Sequence, residues 1–234
     1  MKKYLFPEKL IPALIKSRPN RFIMLVEING KLEKCHCPST GRIGNMEFKD
    51  VPCLLSKSDN PKRKTSYTVE AFAPEKKKWV GINQTKANAY LEFFFQNNLF
   101  PKMISVKNIQ REVKLMNSRI DFLLNDNCYL EVKTPLIHLP FGNSQKKLGA
   151  FNSFERLVRH FQEISLQIKK GQRAIVLLCY IYPAEPFQVP NVSNEKIIKP
   201  VKKSTARGLE HWQVNLRIDE EGVSLLDYFP LKIF

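Results

Sequence analysis

The spacing of apolar positions along the chain changes near residue 80. Between residues 22 and 67 the apolar residues come in short runs parted by turn formers: 22–28, then Asn29-Gly30, then Lys31-Leu32-Glu33. Asn-Gly tolerates the positive φ angles of a tight hairpin, so these runs are predicted to pair. Pro38-Ser39-Thr40-Gly41 and Ser58-Asp59-Asn60-Pro61 punctuate the remainder of this region. Short β runs between such turns predict a small all-β unit, a barrel with basic residues on its loops. The tract Ala73-Pro74-Glu75-Lys76-Lys77-Lys78 marks an expected boundary, dividing the chain into units 1–80 and 81–234.

Beyond it the period lengthens. Asn83 is a candidate cap for a helix reaching about Asn98, with Ala87, Tyr90, Leu91, Phe94 and Phe95 along one face. Two members of the Phe93-Phe94-Phe95 run fit that face, so core packing is the expectation there rather than a stacking platform. Strand-like segments follow at 118–124, 128–133 and 174–182, with a helix-like stretch at 151–170 before the last. A strand pair, a helix and another strand predict an α/β unit, a mixed sheet flanked by helices, so that the whole chain is α+β.

Composition narrows the classes. With 43% hydrophobic residues in 234, the chain can bury a sizeable core. The longest apolar run, residues 174–182, is about half a membrane span, and Pro7 and Glu8 interrupt the start before any signal-like segment develops, so a cytoplasmic protein with no membrane partner is expected. Five cysteines, an odd number, predict free thiols. Cys35-His36-Cys37 has no second pair at zinc spacing, and its members are read as structural.

The net charge of +16 changes the picture more. Residues 1–80 carry 17 Lys/Arg against 8 Asp/Glu (17 − 8 = +9), leaving +7 for residues 81–234. Basic charge on both units predicts a polyanion path shared between them. Lys196, Lys199, Lys202, Lys203 and Arg207 form a further basic stretch, read as a loop.

The segment Ser118-Arg119-Ile120-Asp121-Phe122-Leu123-Leu124-Asn125-Asp126-Asn127-Cys128-Tyr129-Leu130-Glu131-Val132-Lys133 reads as two strands around a polar three-residue turn. Setting Leu124 opposite Cys128 puts Asp121 opposite Glu131 and Arg119 opposite Lys133. Alternation then places Arg119, Asp121, Glu131 and Lys133 on one face, and Ile120, Phe122, Leu130 and Val132 on the other. Two carboxylates at pairing distance repel unless a cation lies between them. Oxygen-only ligation suits Mg²⁺ or Mn²⁺. A metal so held, with a lysine alongside, is the equipment of phosphodiester hydrolysis. Glu112 is a candidate third carboxylate, making Glu112, Asp121, Glu131 and Lys133 the expected catalytic set.

These motifs, together with Asn60-Pro61-Lys62-Arg63-Lys64-Thr65, Val80-Gly81-Ile82-Asn83, Leu14-Ile15-Lys16-Ser17-Arg18-Pro19-Asn20-Arg21-Phe22 and His36-Cys37-Pro38-Ser39-Thr40-Gly41, resemble the sugar fermentation stimulation protein family (SfsA) over most of the chain. The resemblance implies an amino-terminal OB-type barrel and a restriction-endonuclease-like domain of the PD-(D/E)xK class, in a family regarded as DNA-binding and nucleolytic. It implies Asp121 and Glu131 as metal ligands, Lys133 as the residue serving the attacking water, and Glu112 as a helix-borne acid. It also makes Arg18, Arg21, Arg63 and Lys64 candidates for phosphate contacts. Past Lys133 the match is looser: Leu139-Pro140-Phe141-Gly142-Asn143-Ser144 and Arg159-His160-Phe161 depart from the family pattern, as does Gly41-Arg42-Ile43-Gly44. A Mg²⁺-dependent deoxyribonuclease is the leading expectation. Its alternatives are a non-catalytic DNA-binding regulator of sugar metabolism retaining the fold, and an RNA-processing nuclease; a homodimer is left open.

Overall fold

The computed structural model describes residues 2–39, 43, 46–75, 78–115, 118–136, 139, 165–166, 171–188 and 195–232. The first unit is built from β2 (Ile11–Ser17), β3 (Ile23–Ile28), β4 (Lys31–His36), β5 (Val51–Lys57), β6 (Tyr67–Phe72) and β7 (Val80–Gly81), in the order β4-β3-β2-β5-β6-β7. A pairing between β4 and β6 at His36 and Thr68 closes five of these strands into the expected OB-like barrel. Asn29 and Gly30 turn β3 into β4 with φ of 49° and 76°, the left-handed pair that such a hairpin needs. Alternating burial along β3 sends Met24, Val26 and Ile28 into the barrel core. Residues 73–79 connect β6 to β7, and the barrel's last pairing is at Gly81.

The second sheet has seven strands in the order β1-β13-β12-β11-β10-β9-β8. They are β1 (Lys3–Leu5), β8 (Ile109–Leu115), β9 (Ser118–Leu124), β10 (Cys128–Lys133), β11 (Arg173–Tyr180), β12 (Leu209–Ile218) and β13 (Gly222–Pro230). The β10–β11 and β11–β12 pairs are parallel and the rest antiparallel, so the sheet is mixed as expected. β1 precedes the barrel in sequence yet pairs with β13, so the chain starts in the large sheet, leaves to form the barrel and returns. Gly222 makes this closure: a Cβ there would sit 2.0 Å from the Tyr4 carbonyl oxygen.

β11 is apolar on both sides and feeds two cores, whereas β12 gives Trp212, Val214 and Leu216 to one of them and carries buried His211, Gln213 and Asn215 on its other side. One face holds Phe122, Leu124, Leu130, Val132, Ile175, Leu177 and Val214 under α1 (Ala87–Gln96). The other holds Ala174, Val176, Leu178 and Tyr180 in a core shared with the barrel. α1 buries Ala87, Tyr90, Leu91, Phe94 and Phe95, the face that periodicity predicted. Asn83 does not cap it. A 3₁₀ turn (Gln84–Lys86) intervenes, and Asn83 instead donates to the buried Glu70 carboxylate (2.8 Å) and accepts from Thr85 (2.6 Å). The basic stretch read as a loop is mostly helical: α2 (Glu195–Ala206) carries Lys196, Lys199, Lys202 and Lys203, and turns Val201 and Ser204 inward. The helix-like stretch 151–170 lies outside the described residues except at 165–166, which are helical. His160 also lies outside them.

Candidate functional site

Three residues, Asn125, Asp126 and Asn127, turn β9 into β10, with φ of 52° at Asn125 and 59° at Asp126. Pairing then runs Leu124–Cys128, Leu123–Tyr129 and Phe122–Leu130, the predicted register. At the next position it stops. The Asp121 carboxylate takes the place of a ladder carbonyl, its Oδ2 accepting the Val132 amide hydrogen at 2.7 Å. Oδ1 accepts from Asn88 Nδ2 on α1 at 2.8 Å. The interruption also touches β8, where Glu112, level with Asp121 between the Arg111–Phe122 and Val113–Ile120 pairs, has φ of 52°. Ile120 accordingly packs in the core shared with the barrel, while Phe122 packs under α1. The expected strict alternation from Ile120 to Phe122 therefore fails at Asp121, because a side chain there replaces a backbone partner.

Glu131 and Lys133 project from the face opposite α1, since Leu130 and Val132 occupy the α1 core. Glu131 is 4% exposed and receives the Lys133 ammonium at 2.6 Å. Burial raises the Asp121 pKa above the usual carboxylate range, and the Glu131 charge adds to that rise. The Val132 amide, the Asn88 amide and Lys133 act against it. The structure thus brings Asp121, Glu131 and Lys133 into one electrostatic cluster.

Glu112 and Arg119 stand apart from it. Glu112 lies on strand β8, not on a helix as the resemblance implied, and its exposed carboxylate pairs with Arg119 at 3.0 Å. The left-handed backbone at Glu112 explains this: it breaks the alternation that would otherwise aim the side chain with its neighbours'. Arg119 consequently pairs with Glu112, not across a ladder with Lys133. Among the described residues no three His, Cys, Asp or Glu side chains gather at metal-holding distance.

Asn88 and Gln84 are the site residues that sequence reasoning missed. Gln84 Nε2 donates to the carbonyl of Thr134, just past Lys133. Both belong to the short segment joining barrel to sheet, which is anchored to fully buried Glu70 by Asn83 (2.8 Å) and Lys86 (2.7 Å). Gly81 lets that segment approach the sheet. Its amide donates to the Ile181 carbonyl at 2.8 Å, and a Cβ would meet Ile181 Cγ2 at 2.3 Å. An amide side chain at a helix start carries no sequence signal for a carboxylate 33 residues away.

On the barrel, Arg18 Nη2 donates to the carbonyls of Arg21 (3.1 Å) and Ser39 (2.9 Å), so it ties two loops together. Arg63 Nη2 donates to Thr68 Oγ1 at 2.9 Å, beside the strand pairing that closes the barrel. Arg21 lies over the Phe22 ring, 4.7 Å from its centroid, and Lys64 is exposed on the β5–β6 loop. Cys35, Cys37 and Cys53 are free thiols in the barrel core, with burial pushing the Cys35 thiol up to about 12.

A closed barrel handing its chain through a bridging turn to a seven-stranded mixed sheet, with a carboxylate wedged between two of the sheet's strands, defines a two-unit α+β protein. Residues 17–82 match the family model described as the SfsA N-terminal OB domain, and residues 85–222 match the sugar fermentation stimulation protein RE domain. The chain belongs to the sugar fermentation stimulation protein family. It is 31% identical to a sugar fermentation stimulation protein homolog of Synechocystis, covering 98% of this chain and 99% of that one. It is 27% identical to a homolog of Pseudoalteromonas atlantica, covering 97% and 99%. Its fold is similar to that of Pyrococcus furiosus SfsA in complex with Ca²⁺, with a TM-score of 0.77 at 20% identity and coverage of 100% and 99%. Among the described residues no helix is long and apolar enough to cross a membrane.

Proposed function

We propose that this protein is a divalent-metal-dependent nuclease acting on DNA, working at Asp121, Glu131 and Lys133. The observation that carries the proposal is the break in the β9–β10 ladder, which gathers two carboxylates and an ammonium in a chain of net charge +16.

The residues fit a hard cation. They offer oxygen donors alone, and a carboxylate oxygen accepting one hydrogen bond keeps a second lone pair. Burial and the neighbouring Glu131 charge both disfavour ionised Asp121, a penalty that a bound cation would relieve. That the Pyrococcus furiosus relative is described in complex with Ca²⁺ supports a divalent site in this fold. Bound Mg²⁺ or Mn²⁺ would supply Lewis acidity and an acidified water.

The chain's own residues do the rest. The Val132 amide and Asn88 hold the Asp121 carboxylate in one orientation, so it meets its partner without reorganising. Lys133, partly exposed at the strand end, balances the Glu131 charge and is placed to orient a nucleophilic water or meet charge developing on phosphate oxygens. Arg21, Arg63 and Lys64 of the barrel supply backbone contacts that set position without reading sequence. One observation favours a second reading: the 2.6 Å ion pair already balances Glu131 without metal, as a DNA-binding regulator with an idle centre would require.

Incubation with single- and double-stranded DNA and with RNA, with and without Mg²⁺ or Mn²⁺, separates these. The nuclease reading predicts metal-dependent cleavage of DNA that falls at least about 100-fold in Asp121→Ala and in Lys133→Ala. Cleavage surviving both substitutions contradicts the centre, binding without cleavage in every condition supports the regulator, and cleavage confined to RNA moves the substrate.

A further inference from the structure

Of the large apolar side chains exposed among the described residues, Phe22 is the one aromatic, 44% exposed at the rim of the barrel. A lone exposed apolar residue is ordinary; the surroundings of this one are not. Asn20 Oδ1 accepts from the amides of Phe22 (2.9 Å) and Ile23 (3.0 Å), forming a tight turn just before β3. The Phe22 carbonyl accepts from the Cys37 amide at 2.7 Å and from the His36 side chain. Arg18 lashes the same turn to the loop at Ser39. Both backbone groups of Phe22 are thus engaged, and the ring is presented by a fixed support.

The surroundings are cationic. The Arg21 guanidinium covers one face of the ring at 4.7 Å. Arg63 is close enough to His36 to disfavour its protonation, after burial the second cause of a lowered pKa. Arg63 is fixed to Thr68, the pairing partner of His36, and Lys62 and Lys64 flank it on the loop. An aromatic face among guanidinium and ammonium groups recognises a flat ring attached to phosphate. Bases offer their faces only where they are unpaired, because in a duplex each face is covered by its neighbours.

We infer that the barrel rim at Arg21, Phe22, His36 and Arg63 binds single-stranded nucleic acid, one base stacking on Phe22 while the cations hold the adjoining phosphates. The inference rests on the reading of this chain as nucleic-acid-binding and refines it to unpaired strands; it does not depend on cleavage.

The test is fluorescence anisotropy of labelled oligo(dT), oligo(U) and a DNA duplex with the full chain, in EDTA so that no metal is present. Phe22→Ala is expected to weaken oligo(dT) or oligo(U) binding by about 10-fold and duplex binding by less than about 2-fold. Phe22→Trp is expected to keep single-strand affinity and to show quenched tryptophan emission on adding oligo(dT), a readout that holds even if the alanine variant folds poorly. Equal losses for single strand and duplex, no loss in Phe22→Ala, no quenching in Phe22→Trp, or no binding by the wild type would overturn the inference. Binding as predicted, with no cleavage once Mg²⁺ is restored, would leave this rim intact and reject the nuclease reading alone.

Discussion

At the residue scale, Asp121 concentrates the conflict on which the site depends. Its carboxyl is buried beside Glu131, so the ionised form is penalised and the pKa is raised. The neutral form therefore contributes stability that is fully present below the ordinary carboxylate pKa of about 4 and is lost as pH rises through the raised value. Asp121→Asn removes that loss while its side-chain oxygen can still accept from Val132, and the Asn88 amide can turn to present its oxygen. The metal-free wild type is expected to lose more melting temperature than Asp121→Asn does as pH rises from about 4 to about 8; equal losses would show that Asp121 is not strained by charge. Asn88→Ala frees the same carboxylate to rotate. It is expected to weaken Mn²⁺ binding by about 10-fold, read from the Mn²⁺ concentration at which thermal stabilisation is half-maximal. That Asp121 lies near Glu131 and Lys133 was legible in the sequence because the polar turn sets the hairpin register as far as Phe122–Leu130. Ile120 was placed on the wrong face because period-two counting assumes an unbroken ladder, and the Asp121 side chain breaks it; the helix expected at Glu112 came from the resemblance, and the residue lies on β8.

At the element scale, the bridge between the units holds the site from behind. Gln84 fixes the end of β10, Asn88 fixes Asp121 on β9, and Glu70 ties the same turn into the barrel. Gly81 is the point of closest approach, where a Cβ would lie 2.3 Å from Ile181 Cγ2 and 2.7 Å from Ile181 Cβ. Gly81→Ala forces the barrel edge away from the sheet at a cost of about 1–3 kcal/mol. For a chain of this size that lowers the melting temperature by about 2–12 °C, and an unchanged melting temperature would contradict so tight a contact. The hairpins and the buried face of α1 were readable because local turn chemistry and periodicity decide them. β1 was not, since its pairing with β13 joins segments over two hundred residues apart, a distance that local pattern does not cover; β12 and β13, a local hairpin closing at Ile218 and Val223, were not singled out. The basic stretch around Lys199 was misread as a loop because lysines and Pro200 mask the spacing of the Val201 and Ser204 contacts.

At the scale of the whole molecule, a basic barrel and a basic sheet unit share one bridge, and the polyanion proposed as substrate would be attracted by both. The charge is spread over both units in the sequence, +9 and +7, and that spread is the ground on which a polyanion partner is proposed. Everything functional then turns on whether the carboxylate pair at the ladder break takes a divalent ion. Calorimetric titration of Mn²⁺ into the wild type, Asp121→Asn and Glu131→Gln measures this without reference to any substrate. One ion bound per wild-type chain and none in either variant is the expected result; variants that bind Mn²⁺ as the wild type does would contradict the assignment of the site.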